Sequence, residues 1–206
     1  MELTERDKSI LQTVHKFRFC LGRHINMLAG FGGLRATDRR LKTLIEGGFL
    51  NRKKYLYAVP YLYTLTHKGR VLLGVNKRED KIRIERIAHD IYVLDTVIYF
   101  IMKNRLSLHD IESEKELHVK DGYGLRKHQP DFVIKMKGKI HAVEIELNPK
   151  TKNRLEKNIR DNYLNYDRQI WVANDNKVFA LLNSFSGEYS NMEILRLEEI
   201  KCQGAI

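Results

Sequence analysis

Residues 128–150, HQPDFVIKMKGKIHAVEIELNPK, place Asp131, Glu144 and Glu146 in a stretch that otherwise reads as two strands, although strand surfaces disfavour Asp and Glu. Lys137-Gly138 is a candidate two-residue hairpin turn, because glycine accepts a positive φ. A turn centred there sets Asp131 opposite Glu144, and strand alternation puts Glu146 on the same face as Glu144. Phe132, Ile134, Val143, Ile145 and Leu147 collect on the other face as core. Opposed carboxylates repel, so a hairpin that gathers them calls for a cation. An all-oxygen set suits a hard divalent ion, Mg2+ or Mn2+. The same acids could instead make salt bridges with Lys135, Lys150 and Lys152, the usual fate of surface charge. At this level both readings stay open.

The elements around that hairpin follow from periodicity. Thr4 followed by Asp7 predicts a capped helix start, and Ile10, Leu11, Val14 and Phe17 continue it at helical spacing. Gly22 ends that helix. A short second helix carries Ile25 and Leu28, and a third runs from Ala36 or Thr37 to Glu46 until Gly47-Gly48 stops it. Two β-like runs follow, Phe49–Tyr57 and Tyr61–Leu65, and Thr66 caps a small helix. The charged stretch NKREDK at 76–81 reads as a linker between domains 1–75 and 82–206. Beyond it a long helix is expected over Lys81–Asn104, with Ile84, Ile87, Ile91, Leu94, Ile98 and Met102 as its stripe. Asp95 lies beside that stripe, where an unpaired acid is costly. The remainder reads as strand (about Glu116–Lys120), the hairpin, helix (Pro149–Tyr166), strand (Gln169–Ala173), helix (Asn176–Phe185) and strand (Met192–Leu197). Mixed order of this kind predicts an α+β protein, a sheet with helices packed against it.

Composition narrows the partner. The chain of 206 residues carries a formal charge of +11, which points to a polyanion, and double-stranded DNA is the expectation. Cys20 and Cys202 have no metal-ligand spacing and imply a reducing compartment. No apolar run approaches the roughly 18 residues that a membrane helix needs, so a cytoplasmic location without membrane contact is expected.

Three short helices followed by a β-hairpin, over Leu3–Gly74, resemble a winged helix-turn-helix domain. The segment LRATDRRLKTLIEGGFLNRKKYLYAVPYLYTLTHKGRVLLG carries the likeness most strongly. In winged helices the third helix usually enters the major groove while the wing touches the backbone. The resemblance therefore implies that Arg35, Thr37, Arg39, Arg40 and Lys42 face DNA, with Arg52, Lys53 and Lys54 on the wing.

Residues 82–197 resemble the PD-(D/E)xK nucleases, whose fold is a restriction-endonuclease-like α/β domain with a central mixed sheet flanked by helices. Pro130-Asp131 matches the first part of the motif and Glu144 the second, while Glu146 stands where lysine is usual. The combination of a winged helix with these acids, and with His89 and Asp95 on the long helix, resembles the replication-relaxation proteins and MobC-type relaxases of plasmids and integrative elements. Two positions depart from that pattern, Leu94 before Asp95 and Asn148-Pro149 after the acids. The resemblance implies an enzyme that nicks or cleaves DNA, in which Asp131, Glu144 and Glu146 hold Mg2+ or Mn2+. Lys157, or Lys150 or Lys152 in its place, would supply positive charge, and other mobilisation or replication proteins would be partners. His89 has either a catalytic role or a structural pairing with Asp95. Tyr163 is expected to pack rather than act as a nucleophile. The competing expectation is a non-enzymatic DNA-binding regulator that keeps the nuclease fold as a scaffold.

Overall fold

The computed structural model describes residues 2–75, 81–121, 128–148 and 150–204. It is a mixed α+β chain with two compact units, Met1–Leu94 and Asp95–Ile206. Most of the stretch proposed as a linker, 76–80, lies outside the described residues, and the division between the units falls inside a helix.

In the first unit α1 (Glu5–Phe17) starts as the sequence predicts. Thr4 N donates to Asp7 Oδ2 at 2.7 Å and Asp7 N donates to Thr4 Oγ1 at 3.3 Å, which satisfies two orphan donors reciprocally. Ile10, Leu11 and Val14 bury its inner face. A two-residue strand that the sequence reading misses, β1 (Cys20–Leu21), precedes α2 (Gly22–Leu28) and α3 (Leu34–Glu46). Helix α3 begins earlier than expected, because Gly33 at φ 154° serves as N-cap and its carbonyl accepts from Thr37 N at 3.2 Å. Strands β2 (Leu50–Lys53) and β3 (Leu62–Leu65) are shorter than the predicted runs. They form an antiparallel sheet in the order β1-β3-β2, with Leu50 opposite Leu65 and Cys20 opposite Tyr63. Thr66 caps α4 (His67–Leu72) by accepting from Gly69 N at 3.0 Å, and its hydroxyl donates to Gly48 O at 2.6 Å. One side chain thus ties the helix start to the turn after α3.

A 3-10 turn, Ile84–Arg86, leads into α5 (Ile87–Asn104). Ile87, Ile91, Leu94 and Ile98 of the expected stripe are buried, but Ile84 and Met102 at its ends are exposed.

The second unit is built on a five-stranded sheet of order β4-β5-β6-β7-β8, with β4 at Ile111–Ser113, β5 at Phe132–Met136, β6 at Lys139–Glu146, β7 at Arg168–Ala173 and β8 at Met192–Arg196. The first three strands are antiparallel and the last two join in parallel through α7 (Lys152–Asn165) and α8 (Asn176–Ser186). Pro149, where the sequence reading starts that first crossover helix, lies outside the described residues. Helix α9 (Leu197–Gly204) follows β8. Leu155 and Ile159 of α7 and Val178, Leu182 and Phe185 of α8 pack with Trp171 and Ala173 into a buried cluster on one sheet face.

One predicted element is of the wrong type. Residues 116–120 are not a strand but part of α6 (Glu114–Asp121). Ser113 N and Oγ both donate to Glu116 Oε2 at 2.8 Å, and Glu116 N returns to Ser113 Oγ at 3.4 Å. The capping Ser113 is itself the last residue of β4, so strand and helix abut with no loop between them.

Candidate functional site

The hairpin forms in the predicted register. Lys137 (φ 53°) and Gly138 (φ 74°) both turn left-handed, as a two-residue β-turn of this hand requires. Phe132 pairs with Val143 and Met136 with Lys139, so Asp131, one residue before β5, continues the register opposite Glu144. Its Oδ2 accepts from Ile145 N at 2.8 Å.

Glu144 and Glu146 lie on the face that meets α7, and each is only 4% exposed. Parallel pairing sets Glu144 beside Trp171 and Glu146 beside Ala173, which explains the burial: both neighbours belong to the apolar cluster under α7 and α8. Buried carboxyls need partners. Glu144 Oε1 lies 2.5 Å from His128 Nε2 and accepts from Asn162 Nδ2 at 3.2 Å. Glu146 Oε2 lies 2.6 Å from Lys150 Nζ. That distance makes an ion pair, but the oxygen has no aligned hydrogen-bond donor.

The electrostatics follow from this crowding. Burial raises the Glu144 carboxyl above the ordinary carboxylate range, His128 opposes the rise, and the charge of Asp131 adds to it. Burial likewise raises Glu146, against the pull of Lys150 and with the charges of Glu144 and Asp131 adding. The Tyr166 hydroxyl is pushed up to about 12 by burial and by Asp121, Glu144 and Glu112. It donates to Gln129 Oε1 at 3.4 Å, and Gln129 Nε2 donates to Asp121. The site is thus a buried acidic centre rimmed by amides, a histidine and a lysine.

Donor chemistry and arrangement point in different directions for a metal. Asp131, Glu144 and Glu146 are an oxygen set of the kind hard cations take. As arranged, however, no group of three His, Cys, Asp or Glu residues among the described residues is placed to hold an ion. Glu144 turns to His128 and Asn162, and Glu146 turns to Lys150.

Other expected site residues are placed differently. Lys157 is exposed on α7, while Leu155, Asn158, Ile159 and Asn162 form the buried face of that helix. The ammonium beside the acids belongs to Lys150. Lys152 lies over the Phe185 ring, and Lys135 pairs with Glu112, as does Lys120 at 2.6 Å. Tyr163 packs edge-to-face on Tyr189. His89 Nδ1 lies 3.4 Å from Asp90 Oδ1, and Asp95 is half-buried in α5. Helical rise separates His89 from Asp95 by about 9 Å along the axis, on different faces.

His128 and Asn162 escaped the sequence reading. Asn158 and Asn162 had a signal, since they fall on the stripe of Leu155 and Ile159 at helical spacing. His128 had none.

In the first unit Arg35, Arg39 and Lys42 are exposed on α3, and Arg52, Lys53 and Lys54 are exposed at the hairpin. A groove of about 980 Å³ runs between α3 and the β2–β3 strands, lined by Asp38, Arg39, Lys42 and Arg52 among others. Two expected DNA-facing residues are instead part of the framework. Thr37 is fully buried and its hydroxyl donates to Asn26 Oδ1 at 2.8 Å. Arg40 is committed to the buried Asp7, with Nε donating to Oδ1 at 2.6 Å. Burial would raise the Asp7 carboxyl, but the Arg40 and Thr4 hydrogen bonds hold it below its usual value.

Compared with family models, with curated proteins and with solved structures, the chain matches none. No helix among the described residues is long and apolar enough to cross a membrane.

Proposed function

We propose that the chain is a duplex-DNA-binding protein whose first unit is a winged helix. The observation that carries this reading is the placement of cations on two adjoining elements. Arg35, Arg39 and Lys42 on α3 and Arg52, Lys53 and Lys54 on the hairpin are all exposed, and α3 leads directly into the β2–β3 hairpin of the antiparallel β1-β3-β2 sheet. A helix in a groove with a wing on the phosphates uses such an arrangement directly. The test is titration of the full chain with a labelled duplex. Arg39→Ala and Lys42→Ala together should weaken binding about tenfold or more. Unchanged affinity in a folded variant would remove α3 from the interface.

A second reading adds chemistry in a PD-(D/E)xK-like second unit: nicking or cleavage of DNA with Mg2+ or Mn2+, in mobilisation or replication of a mobile element. It is favoured by two buried carboxyls whose pKa values are raised and by a Glu146 oxygen without an aligned donor. Asp131, Glu144 and Glu146 would hold the ion, which would supply a water of lowered pKa. His128 and Lys150 would have to give up their present carboxylate partners. Lys150, rather than Lys157, is the cation positioned to act beside the acids. The non-enzymatic alternative draws on the same pairs, since His128, Asn162 and Lys150 already partner both glutamates. Melting curves with and without Mn2+, beside a supercoiled-plasmid gel, separate the two. A metal enzyme requires a Tm rise and nicking that Asp131→Asn abolishes; neither effect in the wild type leaves a DNA-binding scaffold.

A further inference from the structure

The β2–β3 connection has a composition that duplex binding does not explain. Between Glu46 and Glu79 the chain contains no Asp or Glu, and residues 55–63 hold four of its ten tyrosines. Three consecutive cations precede them, and each lies over a ring. The Arg52 guanidinium is 4.4 Å from the Tyr61 centroid, Lys53 Nζ is 4.9 Å from Tyr55 and Lys54 Nζ is 5.1 Å from Tyr57. Burial raises the Tyr63 hydroxyl, and a hydrogen bond from Arg52 opposes that rise, so Arg52 is held by two tyrosines at once.

Tyr63 is part of the core, but core packing does not account for Tyr57 and Tyr61. Tyr57 is 95% exposed and Tyr61 44% exposed, so their apolar faces are left in water. Each ring carries a cation and still presents surface to solvent, Tyr57 most of all. In a duplex the base faces are stacked inside, and a wing resting on phosphates would use the cations but not the rings. An unpaired strand offers both complements together, phosphates for the cations and base faces for the tyrosines. An acidic peptide would match the charges and leave the rings without a role.

We propose that the β2–β3 hairpin binds an unpaired nucleic-acid strand, with Tyr57 and Tyr61 as stacking platforms backed by Lys54 and Arg52. The surface extends the DNA-binding reading of the first unit but does not depend on α3. It would favour sites where duplex is opened, at a bubble, a junction or a single-stranded end.

The experiment measures fluorescence anisotropy of the full chain with labelled single strands of about 12 nucleotides, as DNA and as RNA, and with a fully paired duplex of the same length. Tyr57→Ala and Tyr61→Ala should each weaken single-strand binding about fivefold to a hundredfold and change duplex binding by less than about twofold. Tyr57→Trp should restore the loss, because it restores a ring; a purely structural tyrosine would not respond in that way. Whether the DNA or the RNA strand binds more tightly identifies the source of the bases. Arg39→Ala serves as the converse variant, weakening duplex more than single strand. Equal single-strand affinity for the wild type and both alanine variants overturns the inference while leaving α3-dependent duplex binding intact. Loss of duplex and single-strand binding in equal measure also overturns it, by showing that the tyrosines serve one common surface. Single-strand binding without duplex binding supports the hairpin and sinks the major-groove reading instead.

Discussion

Arg40 closes an ion pair on a carboxylate that water does not reach, whereas Arg39, its neighbour, projects from the same helix into solvent. The consequences of removing them should therefore differ in kind. Arg40→Ala leaves Asp7 buried and unpaired and should destabilise the fold by about 3 kcal/mol; Arg39→Ala should stay within about 0.5 kcal/mol. Urea unfolding of the two variants checks this, and similar losses would mean that Asp7 finds another partner. The buried glutamates make a second residue-scale prediction. Their folded pKa values lie above the ordinary 4.5, so the protonated forms are favoured in the fold. Their contribution is fully present below about pH 4.5 and is lost as pH rises through the raised values. Asp7 acts in the opposite direction and in a lower window: its contribution is lost as pH falls below its ordinary 3.8 toward its lowered value. Metal-free wild type should thus lose stability on moving from pH 4.5 toward neutrality, and Glu144→Gln with Glu146→Gln should flatten that loss. A wild-type curve that rises with pH over the same window would contradict the assignment.

At the scale of elements, the most constrained join is the one between α3, β2 and α4. Gly69 is buried in the first turn of α4, and a Cβ built on it would come within 2.4 Å of Phe49 O. Backbone cannot yield as a flexible side chain does, so Gly69→Ala should cost about 1–3 kcal/mol by overpacking. Thermal melts would show it, and a neutral result would mean that α4 can lift from the turn. Duplex affinity of the folded variant should be little changed, because Gly69 anchors the hairpin from behind. The α7 crossover is the corresponding element of the second unit. Its buried stripe alternates Leu155 and Ile159 with Asn158 and Asn162, so one helix face both seals the apolar cluster and supplies an amide to Glu144.

For the molecule as a whole, charge is the dominant property. With a formal +11 on 206 residues, the proposed DNA binding would be driven by counterion release. If the six exposed cations of α3 and the hairpin each neutralise a phosphate, log affinity for duplex DNA should fall against log salt with a slope of about −5. Arg39→Ala should reduce that slope by about one. A flat salt dependence would show that the positive charge only keeps the chain soluble. The test concerns the entire chain because its two compact units divide within α5 rather than at a loop.

Much of this architecture was written locally. The Thr4–Asp7 cap, the glycine stop after α3, the Lys137-Gly138 turn and the alternation that puts Asp131, Glu144 and Glu146 together all depend on residues within a few positions or on one hairpin register, and sequence alone determined them. The cap at Ser113 and Glu116 is equally local, although residues 116–120 read as a strand by sequence and fold as part of α6. Tertiary structure decided what the local pattern could not contain. Arg40 and Asp7 are brought together from different helices, so an arginine on a basic helix face became the partner of a buried acid. His128 and Asn162 reach Glu144 from a loop and a crossover helix, and no periodicity links them, whereas Lys150, four residues after Glu146, is a partner that the sequence already offers. Lys157 lost its expected place because helical phase, set by packing of Leu155 and Ile159 against the sheet, turns its neighbours inward instead. Periodicity specifies which face of an element is buried; which side chains meet across two buried faces depends on how the elements pack, and that is a property of the assembled fold.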